Sequence, residues 1–426
     1  MRPGVRTPRR ILVTDAQELA GLGAIRSLGR AGHILIAGYP SGQKPPPAKF
    51  SRYCAEQICH PDPWSQHFEL RDWRLKAARS GRYEGLLPTT EATIPAAQAI
   101  RADLEQHLVL LLPKEENLKF TLSKYHATRM AQAIGLPVPA TIFVRDPAID
   151  HHVDADLRSL RYPIVIRTDN LLTPDGRYLK GQTVRVNSPQ SAQSILSDLC
   201  SMSTGVLAQK LIKGRGIGAF ILRAGGATRL HFAHKQIHEV PHTGGSSSFR
   251  SSSLDRAAIM FAGKLLRALD YEDVAMVEYV RHESGNSLYF LEINGRLWVF
   301  LSLSLHADVN FPLSMLESTL NDGGSIVQPD YREGVRCRTI PGELRYLESV
   351  LKADRRDLKS RFSKLFAVFE FIALSFNPAI HHDHTWACDP RPGLIAARQT
   401  AGRFQRRLQS KLRGAWPDRQ NGKGDG

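Results

Sequence analysis

One predicted hairpin carries oxygen-bearing side chains at a spacing that suits a metal ion. Glu292 and Asn294 are two residues apart in one strand-like segment, so their side chains point to the same face. The turn residues Gly285–Ser287 predict a hairpin, and centring it on Asn286 places Glu278 beside Asn294. Two carboxylates and an amide oxygen suit a hard cation such as magnesium. The same pattern also fits an exposed hairpin with ordinary charged residues.

Two other segments carry residues with a possible chemical role. The segment GLGAIR (21–26) is similar to a dinucleotide fingerprint, but Arg26 stands where that fingerprint needs glycine or alanine. Its glycines are therefore predicted to permit a tight helix start. Glu91, in PTTEAT (88–93), follows a predicted strand and is a candidate substrate contact. The alternative for this segment is helix capping by the threonines beside Glu91.

The elements before residue 113 predict an α/β unit. Apolar runs at Ile11–Thr14 and Ile34–Tyr39 are typical of buried strands, and a helical pattern at Ala24–Ala31 separates them. Strands that alternate with helices indicate a parallel sheet with covered faces. We therefore expect a Rossmann-like parallel-sheet domain over residues 10–113.

The elements after residue 113 predict an α+β unit followed by an extension. Ser123 is a plausible N-cap of a helix that ends before Gly135, and several antiparallel strand patterns follow. The expected fold class is thus a multidomain mixture of α/β and α+β. The predicted units after the first are a domain over 114–321, with subdomains 115–205 and 206–321, a C-terminal extension over 322–415 and a disordered tail over 416–426.

Charge and composition limit the classes of function. The 57 lysines and arginines exceed the 41 acidic residues, which leaves a formal net charge of +16. No run approaches the roughly 20 apolar residues of a membrane span. The five cysteines include no CxxC pair, which favours a reducing compartment and predicts a cytoplasmic protein. The charge indicates a surface that attracts anionic ligands such as nucleotides, and no nucleic-acid-binding motif accompanies it.

Over about residues 10–320 the chain resembles the ATP-grasp superfamily, and most closely its carbamoyl-phosphate-synthase-like carboxylate–amine ligase branch. The segment LEINGR (291–296) is similar to the family's Glu-x-Asn-x-Arg strand, and SKYHATRMAQAIGLPVPAT (123–141) is similar to its opening helix. YPIVIRTDN (162–170) resembles the strand that offers a lysine to the nucleotide phosphates, and VLAQKLIKGRGIG (206–218) resembles the adenine-lining hinge. The resemblance implies that the first domain is a pre-ATP-grasp domain.

The resemblance also implies roles for individual residues. Glu278, Glu292 and Asn294 would hold Mg²⁺, with Mn²⁺ as an alternative ion, and Arg296 and Arg167 would act as catalytic contacts to the transferred phosphoryl group. The implied nucleotide-binding residues are Lys124, Arg167, Lys180, Gln209, Lys210, Leu211 and Arg296.

The loop 234–253 would border the acceptor substrate, which makes Arg250 a predicted catalytic residue and Lys235 and Glu239 predicted substrate contacts. The three histidines of this loop are interpreted as polar loop residues rather than zinc ligands. The chain departs from the family pattern at three places. Arg167 replaces the usual lysine, Gln209–Lys210 replaces a glutamine–glutamate pair, and the loop PDGRYLKGQTV (174–184) contains only two glycines.

The activity implied by the resemblance is ATP-dependent ligation of a carboxylate to an amine through an acyl phosphate, with release of ADP and phosphate. The expected partners are small-molecule carboxylates and amines, including amino acids or peptides, and the chain could form a homo-oligomer. No specific nucleic acid and no transmembrane segment are expected. Two alternatives remain open, a non-catalytic ATP-binding scaffold and a basic RNA- or membrane-surface-binding protein that uses the apolar segment 364–376.

Overall fold

The first unit is a parallel sheet covered by helices. The computed structural model describes residues 7–144, 153–200, 203, 205–321, 326–354 and 362–414. The strands lie in the order β3-β2-β1-β4-β5, and all their pairings are parallel. They are β1 (Arg10–Val13), β2 (Ile34–Pro40), β3 (Cys54–His60), β4 (Gly85–Leu87) and β5 (Val109–Leu110). The helices are α1 (Leu19–Arg30), α2 (His67–Arg79), α3 (Thr93–Gln98) and α4 (Arg101–Glu105), with a 3-10 turn at Pro47–Phe50.

The second unit contains a four-stranded antiparallel sheet in the order β10-β7-β11-β6. Two helices lead into it, α5 (Glu115–Leu122) and α6 (Lys124–Ala133). Its strands are β6 (Thr141–Val144), β7 (Ile164–Thr168), β10 (Thr183–Val186) and β11 (Val206–Lys210). A small hairpin of β8 (Leu171–Leu172) and β9 (Tyr178–Leu179) projects from it, and α7 (Val153–Ser159) and α8 (Pro189–Cys200) complete it.

The largest sheet has seven strands in the order β16-β15-β12-β13-β14-β17-β18. All its pairings are antiparallel except that between the last two strands. Its strands are β12 (Gly214–Ala224), β13 (Ala227–Val240), β14 (Ser246–Ser253), β15 (Asp273–His282), β16 (Leu288–Asn294), β17 (Arg336–Arg338) and β18 (Ile380–His382). The accompanying helices are α9 (Arg256–Ala268), α10 (Leu301–His306), α11 (Phe311–Asn321), α12 (Ile340–Lys352), α13 (Ser363–Ser375) and α14 (Arg391–Gly414).

The predicted fold class is confirmed, with a parallel sheet followed by antiparallel α+β units. The predicted domain bounds stay a prediction. The predicted extension 322–415 does not stand apart from the preceding unit, because its strands β17 and β18 form the edge of the seven-stranded sheet. The predicted tail 416–426 lies outside the described residues.

One hydrophobic core joins the first sheet to the seven-stranded sheet. Trp298 is 1% exposed and contacts Phe220, with ring centroids 4.1 Å apart, and Phe311 at 4.8 Å. The same core contains residues of β1 and α1. A Cβ on Gly23 would lie 2.9 Å from Cδ2 of Leu301, so this glycine lets α1 approach α10 closely. The two units are therefore packed together at the helix that follows the predicted metal-binding strand.

The C-terminal residues are tied to both sheets by buried charges. Nε of Arg26, on α1, donates to Oδ2 of Asp389 at 2.8 Å, and both side chains are almost fully buried. Arg250, on β14, forms a fully buried ion pair with Asp383. Because a buried pair loses its compensation when either partner is removed, these contacts hold the C-terminal strands and α14 in place.

Helix α13 has an unusual surface for a helix at the edge of a fold. Its side chains Leu365, Phe366, Phe369 and Ile372, and Phe376 directly after it, are 50–84% exposed. Over the described residues, no helix combines the length and the apolar character needed to cross a membrane.

Candidate functional site

The β15–β16 hairpin places two carboxylates directly opposite each other. Glu278 pairs with Glu292, and Met276 pairs with Asn294. The predicted register, with Glu278 beside Asn294, was therefore wrong by two residues, which is one position along the same face of the sheet. The physical reason is a β-bulge after Glu278 together with a turn centred earlier than Asn286. The predicted convergence on one face survives because residues two apart still point the same way.

Of the three predicted metal ligands, Asn294 lies within hydrogen-bonding distance of both glutamates. Nδ2 of Asn294 is 3.2 Å from Oε1 of Glu278 and 3.3 Å from Oε1 of Glu292. Rotating the amide would present its oxygen instead, which would make three oxygen donors facing one point. Such a set is the ligand type that Mg²⁺ prefers, so these residues fit a hard divalent cation.

Arginine and lysine side chains surround the carboxylates. Arg167, on β7, forms an ion pair with Glu292, and its Nη1 donates to the carbonyl of Leu291 at 2.9 Å. Lys124 and Arg296 also lie close enough for their positive charges to favour the ionised forms of both Glu278 and Glu292. The structure thus brings together six of the predicted site residues from α6, β7, β15 and the end of β16.

The two carboxylates have opposite pKa shifts. Desolvation, and after it the negative charge of Glu292, raise the pKa of Glu278 to about 8. Burial also acts to raise the pKa of Glu292, but attraction to Arg167, then to Lys124, outweighs it, so the pKa of Glu292 is lowered. Repulsion from Glu292 thus contributes to the raised pKa of Glu278, and a cation bound between the two carboxylates would relieve it.

The start of α6 is fixed by Asp169. Ser123 caps the helix by accepting from the N–H of His126 at 3.2 Å, as predicted. The hydroxyl of Ser123 donates to Asp169, whose other oxygen accepts from the backbone N–H of Lys124 at 2.7 Å. This links the first turn of α6 to the end of β7, which carries Arg167. Asp169 was not predicted, although it directly follows the strand singled out in the sequence.

The loop 174–184 includes the turn and the second strand of the β8–β9 hairpin, which contacts the first domain. The N–H of Tyr178 donates to the carbonyl of Trp64 at 2.7 Å, and the N–H of His67 donates to the carbonyl of Gly176 at 3.1 Å. The ring of Tyr178 stacks on that of His67 with centroids 5.6 Å apart. This contact joins the loop to the first domain.

Lys180 follows this hairpin with an exposed side chain. The next residue, Gly181, has no room for a side chain, because a Cβ would lie 2.3 Å from the carbonyl oxygen of Thr168. Its N–H donates to Oδ1 of Asn170 at 2.7 Å. The close backbone packing at Gly181 fixes the point from which Lys180 projects.

The predicted hinge lies at the end of β11. Gln209 is buried, and its Nε2 donates to the hydroxyl of Thr141 at 3.0 Å. The N–H of Lys210 donates to the carbonyl of Ala140 at 2.9 Å. If the backbone of Lys210 contacts an adenine base, its carbonyl group must therefore make that contact. Leu211 directly follows the strand and is partly exposed. These positions line the end of the four-stranded sheet.

Arg296 faces the first domain across a cleft. Its Nη2 lies 4.0 Å from Oε2 of Glu91, which puts that predicted substrate contact next to a predicted catalytic residue. Glu18 lies near the same guanidinium. Desolvation, then Asp15, raises the pKa of Glu18, while Arg296 and Lys180 oppose the rise. Glu18 was missed in the sequence because the helix was predicted to start at Ala24, whereas α1 starts at Leu19.

Arg250 does not reach the carboxylate cluster. It is fully buried, forms its ion pair with Asp383, and stacks over Phe300 at 4.8 Å from the ring centroid. The prediction that Arg250 is a catalytic residue is therefore not carried further. The sequence gives no sign that β14 lies in the interior, so it could not indicate that Arg250 is buried.

The histidines of the predicted loop have structural surroundings. His234 is fully buried, and desolvation, then Arg250, lowers its pKa to about 3. Nδ1 of His238 lies 3.0 Å from Oε2 of Glu343. The side chain of Glu239 accepts from the N–H groups of Gly216 and Gly245. Among the described residues, no group of three or more histidines, cysteines or acidic residues is arranged to hold a metal ion.

Comparisons with known proteins give structural matches alone, since no family model and no curated protein sequence matches the chain. A biotin carboxylase of Campylobacter jejuni matches with a TM-score of 0.61 and 16% identity over 78% of this chain and 74% of that one. An L-amino acid ligase of Bacillus licheniformis matches with a TM-score of 0.55 and 16% identity, covering 74% and 75%. The ADP complex of an N5-carboxyaminoimidazole ribonucleotide synthetase matches with a TM-score of 0.54 and 14% identity, covering 77% and 80%. At these identities the matches show a shared fold.

Proposed function

We propose that this chain, which has the fold of the ATP-grasp carboxylate–amine ligases, is itself an ATP-dependent ligase that forms a C–N bond. In this proposal ATP converts a carboxylate into an acyl phosphate, and an amine then takes the acyl group. The observation that carries the proposal is the convergence of Glu278, Glu292 and Asn294 with Arg167, Arg296 and Lys124 at one face of the hairpin.

Mg²⁺, held by Glu278, Glu292 and Asn294, would neutralise charge on the nucleotide phosphates. Arg167 holds Glu292 in position, and its remaining N–H groups can contact a phosphate. An arginine has a planar set of five donors, so it can bind two phosphate oxygens at once where a lysine offers a point charge. The replacement of the family's lysine by Arg167 is therefore compatible with phosphate binding.

The first step transfers the γ-phosphoryl group. A carboxylate oxygen of the substrate forms a bond to the γ-phosphorus while the bond from that phosphorus to the β–γ bridging oxygen breaks, and ADP leaves. Negative charge accumulates on the transferred group, and Arg296 and Lys124 supply fixed positive charge there. Lys180, which follows the β8–β9 hairpin, adds a positive charge that can contact the nucleotide phosphates.

The second step forms the amide. The amine nitrogen attacks the acyl carbon, the bond from that carbon to the phosphate oxygen breaks, and inorganic phosphate leaves with the bonding electron pair. The extra proton of the nitrogen passes to the leaving phosphate. The contact of the β8–β9 hairpin with Trp64 and His67 supports this step, because a closed cleft would keep water from the acyl phosphate.

The backbone at the end of β11 is proposed to bind the adenine. Lys210 and Leu211 lie where β11 leaves the four-stranded sheet, and Gln209 is held in place by Thr141. The partners in this proposal are a small-molecule carboxylate and an amine, and the ions are Mg²⁺ or Mn²⁺.

The proposal is tested by trapping the acyl phosphate. The protein is incubated with Mg·ATP, hydroxylamine and a panel of carboxylic acids, and hydroxamate and ADP are measured. We expect equimolar hydroxamate and ADP with at least one acid, and loss of both in Arg296→Ala with nucleotide binding retained. ATP binding without ADP or hydroxamate for any acid would instead favour the non-catalytic scaffold.

A further inference from the structure

A small cavity lies beside the proposed active site and carries charges of both signs. Its volume is about 200 Å³, smaller than the roughly 300 Å³ at the lower end of drug-sized pockets. Glu18 and Leu19 line it from α1, Ser247 from β14, and Phe300 from the segment after Arg296. Arg345, on α12, and Arg403, on α14, line it from the C-terminal residues. A cavity of this size suits a small metabolite.

The two arginines of the cavity are not neutralised by a neighbour. Among the described residues, neither Arg345 nor Arg403 forms an ion pair or a hydrogen bond, although they come from helices far apart in the sequence. His384 also lines the cavity, and desolvation lowers its pKa, so it is neutral near pH 7. Two unpaired guanidinium groups that line one cavity form a site for an anionic group such as a carboxylate.

Glu18 lies at the end of the cavity that is nearest to the proposed active site. It is the acidic residue of the lining, and it lies close enough to Arg296 and Lys180 for both to affect its pKa. Val299 and Phe300, which also line the cavity, follow Arg296 closely in the chain, so the cavity adjoins the proposed phosphoryl-transfer centre at the end that carries Glu18. A ligand that places a cationic group there would have that group next to the acyl phosphate.

From these charges we infer that the cavity binds the amine substrate and that this substrate is an α-amino acid. Its carboxylate is bound by Arg345 and Arg403, and its amino group lies at Glu18, facing Arg296. This inference rests on the proposed ligase function and adds the chemical class of the amine. The apolar side chains of Leu19, Val299 and Phe300 would contact the amino-acid side chain.

The walls of the cavity are held by buried polar contacts. The hydroxyl of Ser248, next to Ser247, donates to Oε1 of Glu343 at 2.6 Å, which ties β14 to α12. Arg250 packs over Phe300 from the interior. These contacts fix the distance between the α1 side and the Arg345 side, which would make the site selective for ligand length.

The test measures binding of the 20 standard L-amino acids and of their α-amides to the full chain in the presence of Mg²⁺ and a non-hydrolysable ATP analogue. We expect at least one amino acid to bind more tightly than its amide by about tenfold or more, because the amide lacks the charge that the arginines bind. Arg345→Gln and Arg403→Gln should each remove that preference. Arg256→Gln, at an exposed arginine of α9 outside the cavity, is the matched control and should keep it.

Binding of the nucleotide analogue is measured in the same proteins. If Arg345→Gln and Arg403→Gln bind the analogue as the wild type does but no amino acid binds better than its amide in any protein, the inference is overturned and the ligase proposal stands. If the wild type does not bind the analogue, the proposed function fails first. An amino acid that binds equally well to the wild type and to both variants also overturns the inference.

A separate observation concerns the exposed face of α13. The apolar side chains of Leu365, Phe366, Phe369, Ile372 and Phe376 follow helical spacing and lie on one face. At their exposures, and with 150–250 Å² for a large side chain, they present roughly 500–850 Å². That exceeds the few hundred Å² usual for a monomer and approaches the roughly 800 Å² that each partner buries in a stable interface.

The charge of α13 indicates whether its apolar face contacts a protein or a membrane. The helix contains one lysine, Lys364, and one glutamate, Glu370, so its net charge is zero. An interfacial membrane helix is instead rich in lysine and arginine on its polar face. Glu370 faces inward, with its Oε2 3.5 Å from Nε2 of His238. The geometry points to a second copy of this chain as the partner, with the two α13 faces related by a twofold axis.

Sedimentation velocity tests this interface. We expect the wild type to be a dimer and Phe369→Asp to be a monomer that keeps the far-ultraviolet circular dichroism spectrum of the wild type. Met260→Asp is the control, because Met260 is 62% exposed on α9, away from α13, and this variant should remain a dimer. A wild type that is monomeric over a wide range of concentrations overturns the inference, whether or not it then binds anionic vesicles. A Phe369→Asp variant that stays dimeric overturns it as well.

Discussion

Arg167 and Glu292 form an ion pair between the four-stranded and the seven-stranded sheets, and Glu292 lies directly opposite Glu278. One guanidinium thus faces two carboxylates. The pair explains why the two glutamates differ, since Arg167 lowers the pKa of Glu292, whereas desolvation and Glu292 itself raise that of Glu278. Because Arg167 lies on β7, this ion pair also makes the position of β7 depend on the charge of the two glutamates in the β15–β16 hairpin.

The first prediction concerns Arg167. Replacing it by alanine leaves two carboxylates with one guanidinium fewer, so the free energy of unfolding should fall by about 1.5–3 kcal/mol, the usual contribution of a hydrogen bond to a charged group. Addition of Mg²⁺ should restore part of this loss, because the ion would replace the missing charge. Urea unfolding with and without Mg²⁺ measures both effects. The Arg167→Ala/Glu292→Gln double variant should lose less stability than the sum of the single variants, and strict additivity would contradict the coupling.

The second prediction separates Arg250 from the active site. In Arg250→Met the carboxylate of Asp383 stays buried without its partner, and stability should fall by about 3–5 kcal/mol. Affinity for Mg·ATP should remain unchanged at a temperature where the variant is folded. The additional change Asp383→Asn should restore part of the stability, because it removes the uncompensated charge. A variant that is as stable as the wild type but fails to bind Mg·ATP would return Arg250 to the site.

The third prediction is a pH dependence of stability caused by His238. Burial opposes protonation, but Glu343 and Glu370 outweigh it and raise the pKa of His238 to about 9. Tyr346 stacks on the imidazole ring at 4.1 Å, and Phe249 packs against it as well. A histidine in an unfolded chain has a pKa near 6.5. The folded pKa is the higher one, so this stabilisation is complete below about pH 6.5 and is lost between about pH 6.5 and 9.

The size of that loss has an upper limit of about 3 kcal/mol, from about 1.4 kcal/mol for each pKa unit. Urea unfolding of the wild type and of His238→Gln over this pH range measures it. The wild type should lose stability as the pH rises, and the difference between the two proteins should shrink. A constant difference would mean that His238 keeps the same protonation state throughout.

The fourth prediction tests the loop after the β8–β9 hairpin. Lys180 is exposed, so Lys180→Ala should leave the free energy of unfolding within about 0.5 kcal/mol of the wild type. Its affinity for Mg·ATP should fall by about tenfold, which corresponds to one lost charge-assisted contact. Lys76→Ala, at an exposed lysine of α2, is the control and should bind as the wild type does. Equal affinities in all three proteins would remove Lys180 from the nucleotide site.

The sequence was sufficient for elements whose apolar pattern decides their structure. The strand predicted at Ile34–Tyr39 forms β2 (Ile34–Pro40), and the helix start at Ser123 was identified from its cap. Strand β3 and helix α2 were not predicted. β3 alternates exposed and partly buried residues at the edge of the sheet, and α2 buries the charged side chain of Arg74, so neither has the apolar run that would have identified it.

The candidate site was predictable where side-chain alternation determines it. Alternation placed Glu278, Glu292 and Asn294 on one face even though the pairing was wrong, because the bulge after Glu278 has no sequence signal. The cavity beside the site could not be predicted. Glu18, Ser247, Arg345 and Arg403 lie far apart in the chain, and only the packing of α12 and α14 against β14 and α1 brings them together.

The central claim is that the Glu278–Glu292–Asn294 cluster binds Mg·ATP. Its most direct test is thermal unfolding of the wild type, of Glu292→Ala and of Glu283→Ala, each with and without Mg·ATP, where Glu283 is an exposed residue in the turn of the same hairpin. At a ligand concentration of about 100 times Kd the native state gains about 2.7 kcal/mol, which raises the melting temperature by several degrees. We predict this magnesium-dependent shift in the wild type and in Glu283→Ala, and none in Glu292→Ala. The absence of a shift in the wild type, or an equal shift in Glu292→Ala, would contradict the claim.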